Sequence, residues 1–178
     1  MIGRYTTFSL KSNALTEAAE NPKKSRHTIF NLSMVKEIKI NPNGDPFLIA
    51  NVRMVCQPPL DVLITYNFIY WSARKPERKK LIIEHGNNLQ NHDDHFWLIN
   101  PDNQTEGLAA HENRIAHVEL IVNGIKSNKA DYEIDLEIYQ TTDLNIEGKT
   151  PIDSVKTSGK IGLDDGDIFE TLRAIIKI

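Results

Sequence analysis

An all-β fold, an antiparallel β-sandwich, is what this sequence predicts, and three features predict it. Short runs alternate apolar and polar residues with a period of two, clusters of Asn, Asp, Gly and Pro separate them, and no long stretch keeps a helical period. That punctuation gives about eight or nine strands. A polar N-terminal segment covers residues 1–27 and one sandwich domain covers 28–178. A chain of 178 residues buries roughly 70% of its unfolded surface, so folding requires neither disulfide nor metal.

The elements follow in order. Asn13 to Glu20 predicts a short helix with Asn13 as N-cap, stopped at Asn21-Pro22, in an otherwise irregular segment. Phe30, Leu32 and Met34 alternate, then the apolar parity moves to Ile38 and Ile40, which predicts a bulge between Val35 and Glu37. Asn41-Pro42-Asn43-Gly44-Asp45-Pro46 is dense in turn formers, so this strand and the next, Phe47 to Cys56, read as a hairpin. Leu60 to Trp71 is the most apolar run. Val62, Ile64, Tyr66, Phe68 and Tyr70 share one face, and Leu63, Thr65, Asn67, Ile69 and Trp71 the other, the pattern of a strand covered on both sides.

Leu81 to Ile83 and Phe96 to Ile99 are brief apolar segments on either side of a polar break at Gly86 to Asp94. Ile115 to Val122 is a strand with Val118, Leu120 and Val122 facing one way, and Asn123-Gly124 after it signals a type I′ hairpin. Tyr132 to Ile138 alternates most cleanly, and its acidic face of Glu133, Asp135 and Glu137 is expected in water. Asp164-Asp165-Gly166-Asp167 is a turn, after which Ile168, Leu172, Ala174, Ile176 and Ile178 line the inner face of a last strand.

Composition narrows the function classes. With a net charge of −3 and a pI near 6.1, the chain lacks the basic face of a nucleic-acid binder. Cys56 is the single cysteine, which excludes an intramolecular disulfide and a cysteine zinc cluster and reads as a small buried hydrophobe. No run is long and apolar enough for a signal peptide or a membrane-spanning helix, so the expected compartment is cytoplasmic.

Three places carry candidate chemistry. Asn91-His92-Asp93-Asp94-His95-Phe96-Trp97 brackets two aspartates with histidines, ligand types that suit a divalent metal. His92 and His95 would cooperate only around a turn, whereas Asp93 and His95 share a side if the chain is extended. Further ligands would come from His85, His111 or His117, five of the six histidines lying between 85 and 117. The spacing follows no established zinc motif, and a polar loop before a buried strand, with His95 pairing one of the aspartates, is the expected reading. The acidic turn at 164–167 has calcium-type oxygens but lacks the EF-hand spacing. Arg74 to Lys80 holds five cations and one acid next to Trp71, an arrangement that protects a strand edge or binds an anion.

The expectation is therefore a binding or assembly protein rather than an enzyme. End loops or a strand edge would hold a protein partner, further copies of the chain, or a small ligand such as a sugar, with Trp71, Arg74, Lys75 and Trp97 in contact. Two alternatives stay open. One is a metal-dependent enzyme or metal-binding protein using His92, Asp93, His95, His111 and His117, with a divalent metal as its cofactor. The other is anion or nucleic-acid binding through residues 74–80.

Overall fold

In the computed structural model, residues 29–30, 33–72, 80–89, 93–99 and 107–178 are described. They form ten strands: β1 (Ile29–Phe30), β2 (Met34–Lys39), β3 (Phe47–Gln57), β4 (Val62–Ser72), β5 (Lys80–Asn87), β6 (Asp93–Ile99), β7 (Arg114–Gly124), β8 (Ala130–Thr141), β9 (Asp153–Ile161) and β10 (Asp167–Lys177). A 3-10 turn at Leu108–His111 precedes β7. The expected helix at Asn13 to Glu20, like most of the N-terminal segment, lies outside the described residues. No helix among those described is long and apolar enough to cross a membrane.

The strands build two packed sheets, and the chain is a β-sandwich. Sheet A runs β10–β7–β4–β5, with β1 and β2 both along the outer side of β10, and sheet B runs β6–β3–β8–β9. All pairings are antiparallel except those of β1 and β2 with β10, which are parallel. Period-two alternation delivers one side of each strand to a shared core. Val62, Ile64, Phe68, Val118, Val122, Leu172 and Ile176 of sheet A meet Leu48, Val52, Ile134, Leu136 and Ile138 of sheet B, all fully buried.

Two expected hairpins are not formed, for one reason. β2 pairs with β10 in sheet A while β3 lies in sheet B, so the turn at residues 41–46 crosses between sheets. Gln140 of β8 holds that crossing, accepting from Asn41 N at 3.0 Å and donating to the carbonyls of Asn41 and Asp45 at 2.7 and 2.9 Å. β7 and β8 likewise belong to different sheets, and Asn123-Gly124 ends a strand instead of reversing it. Gly124 is required because a Cβ there would overlap the backbone of Gly162. Turn chemistry marks where a chain bends, but not which sheet it enters next. The bulge expected at 35–37 is also absent, since β2 keeps unbroken register with β10 from Met34 to Lys39. Met34 is simply exposed on an edge strand while Ile38 is buried.

Polar bonds tie the sheets together along both sides of the sandwich. Tyr66 of β4 points inward and its hydroxyl bonds Asp94 of β6. Tyr132 of β8 does the reverse, donating to Glu170 Oε1 of β10 at 3.0 Å. Each phenol lies over a glycine of the neighbouring edge strand. A Cβ on Gly86 would overlap the Tyr66 ring, and one on Gly159 would sit 2.7 Å from the Tyr132 oxygen. Burial, reinforced by the carboxylates, raises the pKa of both phenols, so each stays a hydrogen donor. On the β2/β9 side, Lys36 Nζ reaches Asp153 Oδ1 at 2.5 Å.

Tyr132→Phe is expected to lower stability by ~1–3 kcal/mol, because it strips a phenol donor from a buried carboxylate. Gly86→Ala is expected to cost a similar ~1–3 kcal/mol through overpacking against Tyr66. Urea denaturation followed by circular dichroism measures both, and unchanged midpoints would show that the tyrosine bridges contribute nothing.

Candidate functional site

The stretch around Asp93 is a strand, not the polar loop expected of it. β6 starts at Asp93, so side chains alternate across the sheet. Asp94, Phe96 and Leu98 point into the sandwich, where Phe96 stacks on Phe68 with ring centroids 4.1 Å apart. Asp93, His95 and Trp97 point outward, and Trp97 is 46% exposed. His92 lies outside the described residues.

Asp93 and His95 do share a side, and Asn51 of β3 joins them. Asn51 Nδ2 donates to Asp93 Oδ1 at 3.2 Å and to Glu137 Oε2 at 2.9 Å. Its Oδ1 lies 2.7 Å from His95 Nδ1. A carbonyl oxygen only accepts, so Nδ1 carries a proton and donates it to Asn51. Tyr139 also donates to Glu137 Oε2, at 2.8 Å.

The acidic face of β8 departs furthest from expectation. Asp135 is 2% exposed, not bathed in water. Arg53 of β3 donates to Asp135 Oδ2 at 2.7 Å and to Glu133 Oε1 at 3.0 Å, and its Nε lies 3.6 Å from Glu137. Lys156 of β9 approaches Asp135 Oδ1 at 3.5 Å. The hydrogen bond to Asp135 raises the Arg53 pKa further, so the guanidinium is permanently charged. A groove of about 600 Å³ beside Arg53 carries the same self-pairing, with Lys160 and Asp131 3.0 Å apart. The outer face of sheet B is thus a lattice of charges and amides largely satisfied by one another. Alternation alone assigned these acids to solvent because the basic partner stands on another strand.

The remaining candidates lie elsewhere. His111 is buried at the 3-10 turn, its Nδ1 2.6 Å from the Tyr70 hydroxyl. His117 projects from the outer face of sheet A, in register with Arg173 and Ile69. Trp71 is half-buried on that same face. His111 and His117 are therefore not brought to Asp93 and His95. Among the described residues no three His, Cys, Asp or Glu side chains converge as metal ligands. Arg74 and Lys75 lie outside the described residues. In the acidic turn, Asp165 accepts from Gly162 N at 2.8 Å and pairs with Lys129 at 3.1 Å, while Gly166 supplies the positive φ of 84°.

A second groove of about 600 Å³ opens on the outer face of sheet A. Two cross-strand rows floor it: Phe169, Ile121, Thr65 and Asn87, then Thr171, Glu119, Asn67 and His85. His85 Nδ1 lies 2.6 Å from Asn67 Oδ1, repeating the His95–Asn51 pair of the other sheet. Beyond that bond Asn67 and His85 have no side-chain partner among the described residues. Thr65 and Thr171 have none, and Glu119 has only His117 Nε2 at 3.9 Å. This groove keeps unspent hydrogen-bonding capacity along a whole cross-strand row. In the sheet B groove only Gln57 and Ser158 lack a side-chain partner among the described residues, and the charged groups are paired. Its one signal in the sequence is polar Thr65 and Asn67 inside the most apolar run. The facing residues His85, Glu119 and Thr171 come from three other strands, from about twenty to about one hundred residues further on.

The fold and this site define a β-sandwich with a groove on each outer face, a charge-paired one on sheet B and a less fully paired one on sheet A. No known protein family, curated protein or solved structure matches the chain.

Arg53→Met is expected to destabilise by about 2 kcal/mol. That is less than the ~3–5 kcal/mol for breaking a fully buried pair, since Arg53 is partly solvated and Lys156 remains. Adding Asp135→Asn should recover most of the loss, and urea denaturation of the single and double variants checks it. His117 supplies a pH dependence. Burial first, then the Arg173 charge, lower its pKa, against a weaker opposing pull from Glu119. Its contribution is complete above the unfolded value of about 6.5 and falls as pH drops from there toward the folded value, by at most about 1.4 kcal/mol per pH unit. His117→Gln should remove that increment, so the stability gap between variant and wild type should shift in the variant's favour from pH 7.5 to 5.5.

Proposed function

We propose that this is a non-enzymatic binding protein that holds a small molecule in the sheet A groove, on a sheet face instead of at end loops or a strand edge. The observation that supports this is the contrast between the two outer faces. On sheet B the charged groups pair with one another, and among the described residues of its groove only Gln57 and Ser158 keep free hydrogen-bonding groups. On sheet A a groove within the ~300–1,000 Å³ range of ligand sites presents an amide, an imidazole, two hydroxyls and a carboxylate with capacity left over. Binding is favoured over catalysis by the setting of the two outward histidines. His85 and His95 are each held by an asparagine oxygen, which orients an imidazole without the carboxylate that would strengthen it as a base.

A chemically diverse fragment library, screened by heteronuclear NMR on the intact chain, tests the proposal. Perturbed amides should cluster at Thr65, Asn67, His85, Glu119 and Thr171. Asn67→Ala should weaken groove-bound fragments about fivefold to tenfold, the equivalent of a ~1–1.5 kcal/mol hydrogen bond. Fragments that collect on the sheet B face, or on neither face, would refute it.

A further inference from the structure

We infer that the ligand of the sheet A groove is an uncharged, polyhydroxylated ring, of the saccharide class, an inference that rests on the groove being the binding site. Charge is the first argument. No lysine or arginine is among the described residues lining the groove. Glu119 is its one outward carboxylate, because Glu170 turns inward to Tyr132. A phosphate or carboxylate ligand would meet Glu119 with no lysine or arginine in the described lining to offset it. A cationic ligand would find a single half-exposed carboxylate, and such pairs contribute little in water.

The pattern of donors and acceptors is the second argument. With Asn67 Oδ1 accepting from His85 Nδ1, the Asn67 amide nitrogen remains as a donor and His85 Nε2 as an acceptor. The opposite amide and imidazole assignment exchanges these roles and still leaves one donor beside one acceptor. Thr171 and Thr65 add hydroxyls that both donate and accept, and Glu119 adds an acceptor. A row that mixes donors and acceptors matches neighbouring hydroxyls of a polyol, each of which also does both. An all-donor or all-acceptor ligand would leave half the row unpaired.

The third argument is the apolar strip beside that row. Ile121 and Phe169 are direct cross-strand partners, each a little over one-third exposed, and both line the groove. The polar row lies two residues along the strands, a spacing of ~6.8 Å. A pyranose ring can lay its C–H face on the strip and extend its hydroxyls to Asn67, Glu119 and Thr171 in the next row.

The probes are the methyl glycosides of glucose, galactose, mannose and xylose, with inorganic phosphate, tetramethylammonium and adenosine as contrasting arms. Each is titrated into the intact isotopically labelled protein. The expected result is saturable shifts at Asn67, His85 and Glu119 with at least one glycoside, weakened fivefold or more by Asn67→Ala and by Thr171→Val. The second variant covers any loss of folding in the first. Phosphate and tetramethylammonium should leave those signals in place. Saturation by phosphate, tetramethylammonium or adenosine without any glycoside would overturn the inference. So would silence from every glycoside at tens of millimolar. If library fragments still occupy the groove in that case, the groove remains the binding site and only the saccharide assignment fails. If they do not, both fail.

Discussion

Apolar packing between two sheets is strong but has no direction, so it does not by itself fix how one sheet lies over the other. Directional bonds must do that, and the tyrosine–carboxylate bridges supply them. Tyr66 reaches from sheet A to Asp94 on one edge of sheet B, and Tyr132 reaches from sheet B to Glu170 in sheet A. A buried phenol costs free energy unless its hydroxyl is bonded, and a carboxylate at the interface costs more. Each group is therefore tolerable only in the arrangement that brings it to its partner. Gly86 and Gly159 complete the device by leaving room for the rings. Crossings between sheets, such as the Gln140-held turn and the Gly124–Gly162 contact, join strands whose relative placement these bridges fix.

With the inner faces committed to the core, the outer faces carry everything that meets the surroundings, and they do so differently. Sheet B gathers acids from β8 around Arg53 and Asn51. Such cross-strand pairing engages the charged groups of that face with one another. Sheet A interleaves apolar and polar rows across β10, β7, β4 and β5. That face places an apolar strip directly beside polar side chains that have few partners among the described residues. The matched His–Asn pairs sharpen the contrast. His95–Asn51 is built into a network that uses the amide fully, whereas His85–Asn67 stands beside open space.

The alternation of Val62 to Tyr70, Val118 to Val122 and Ile168 to Ile176 is readable because a strand's side-chain period is fixed by its own backbone. Those residues are buried as their pattern implies, except that Ile178 is 42% exposed at the chain end. β9 is harder to see, because inward Thr157 and Gly159 interrupt its apolar side. For Asp93 to Trp97, spacing correctly permitted Asp93 and His95 to share a side but did not disclose that the stretch is extended.

The sequence by itself determined the class of fold and most of the core, since both follow from local period and turn chemistry. Only the tertiary structure decided which strands became neighbours. That choice turned two expected hairpins into crossings, buried Asp135 beneath Arg53, and set Asn67, His85, Glu119 and Thr171 in one row. The physical reason is that hydrogen bonds and ion pairs between strands depend on contacts between residues distant in the chain. A single strand's pattern carries its own faces but not the identity of the strand beside it.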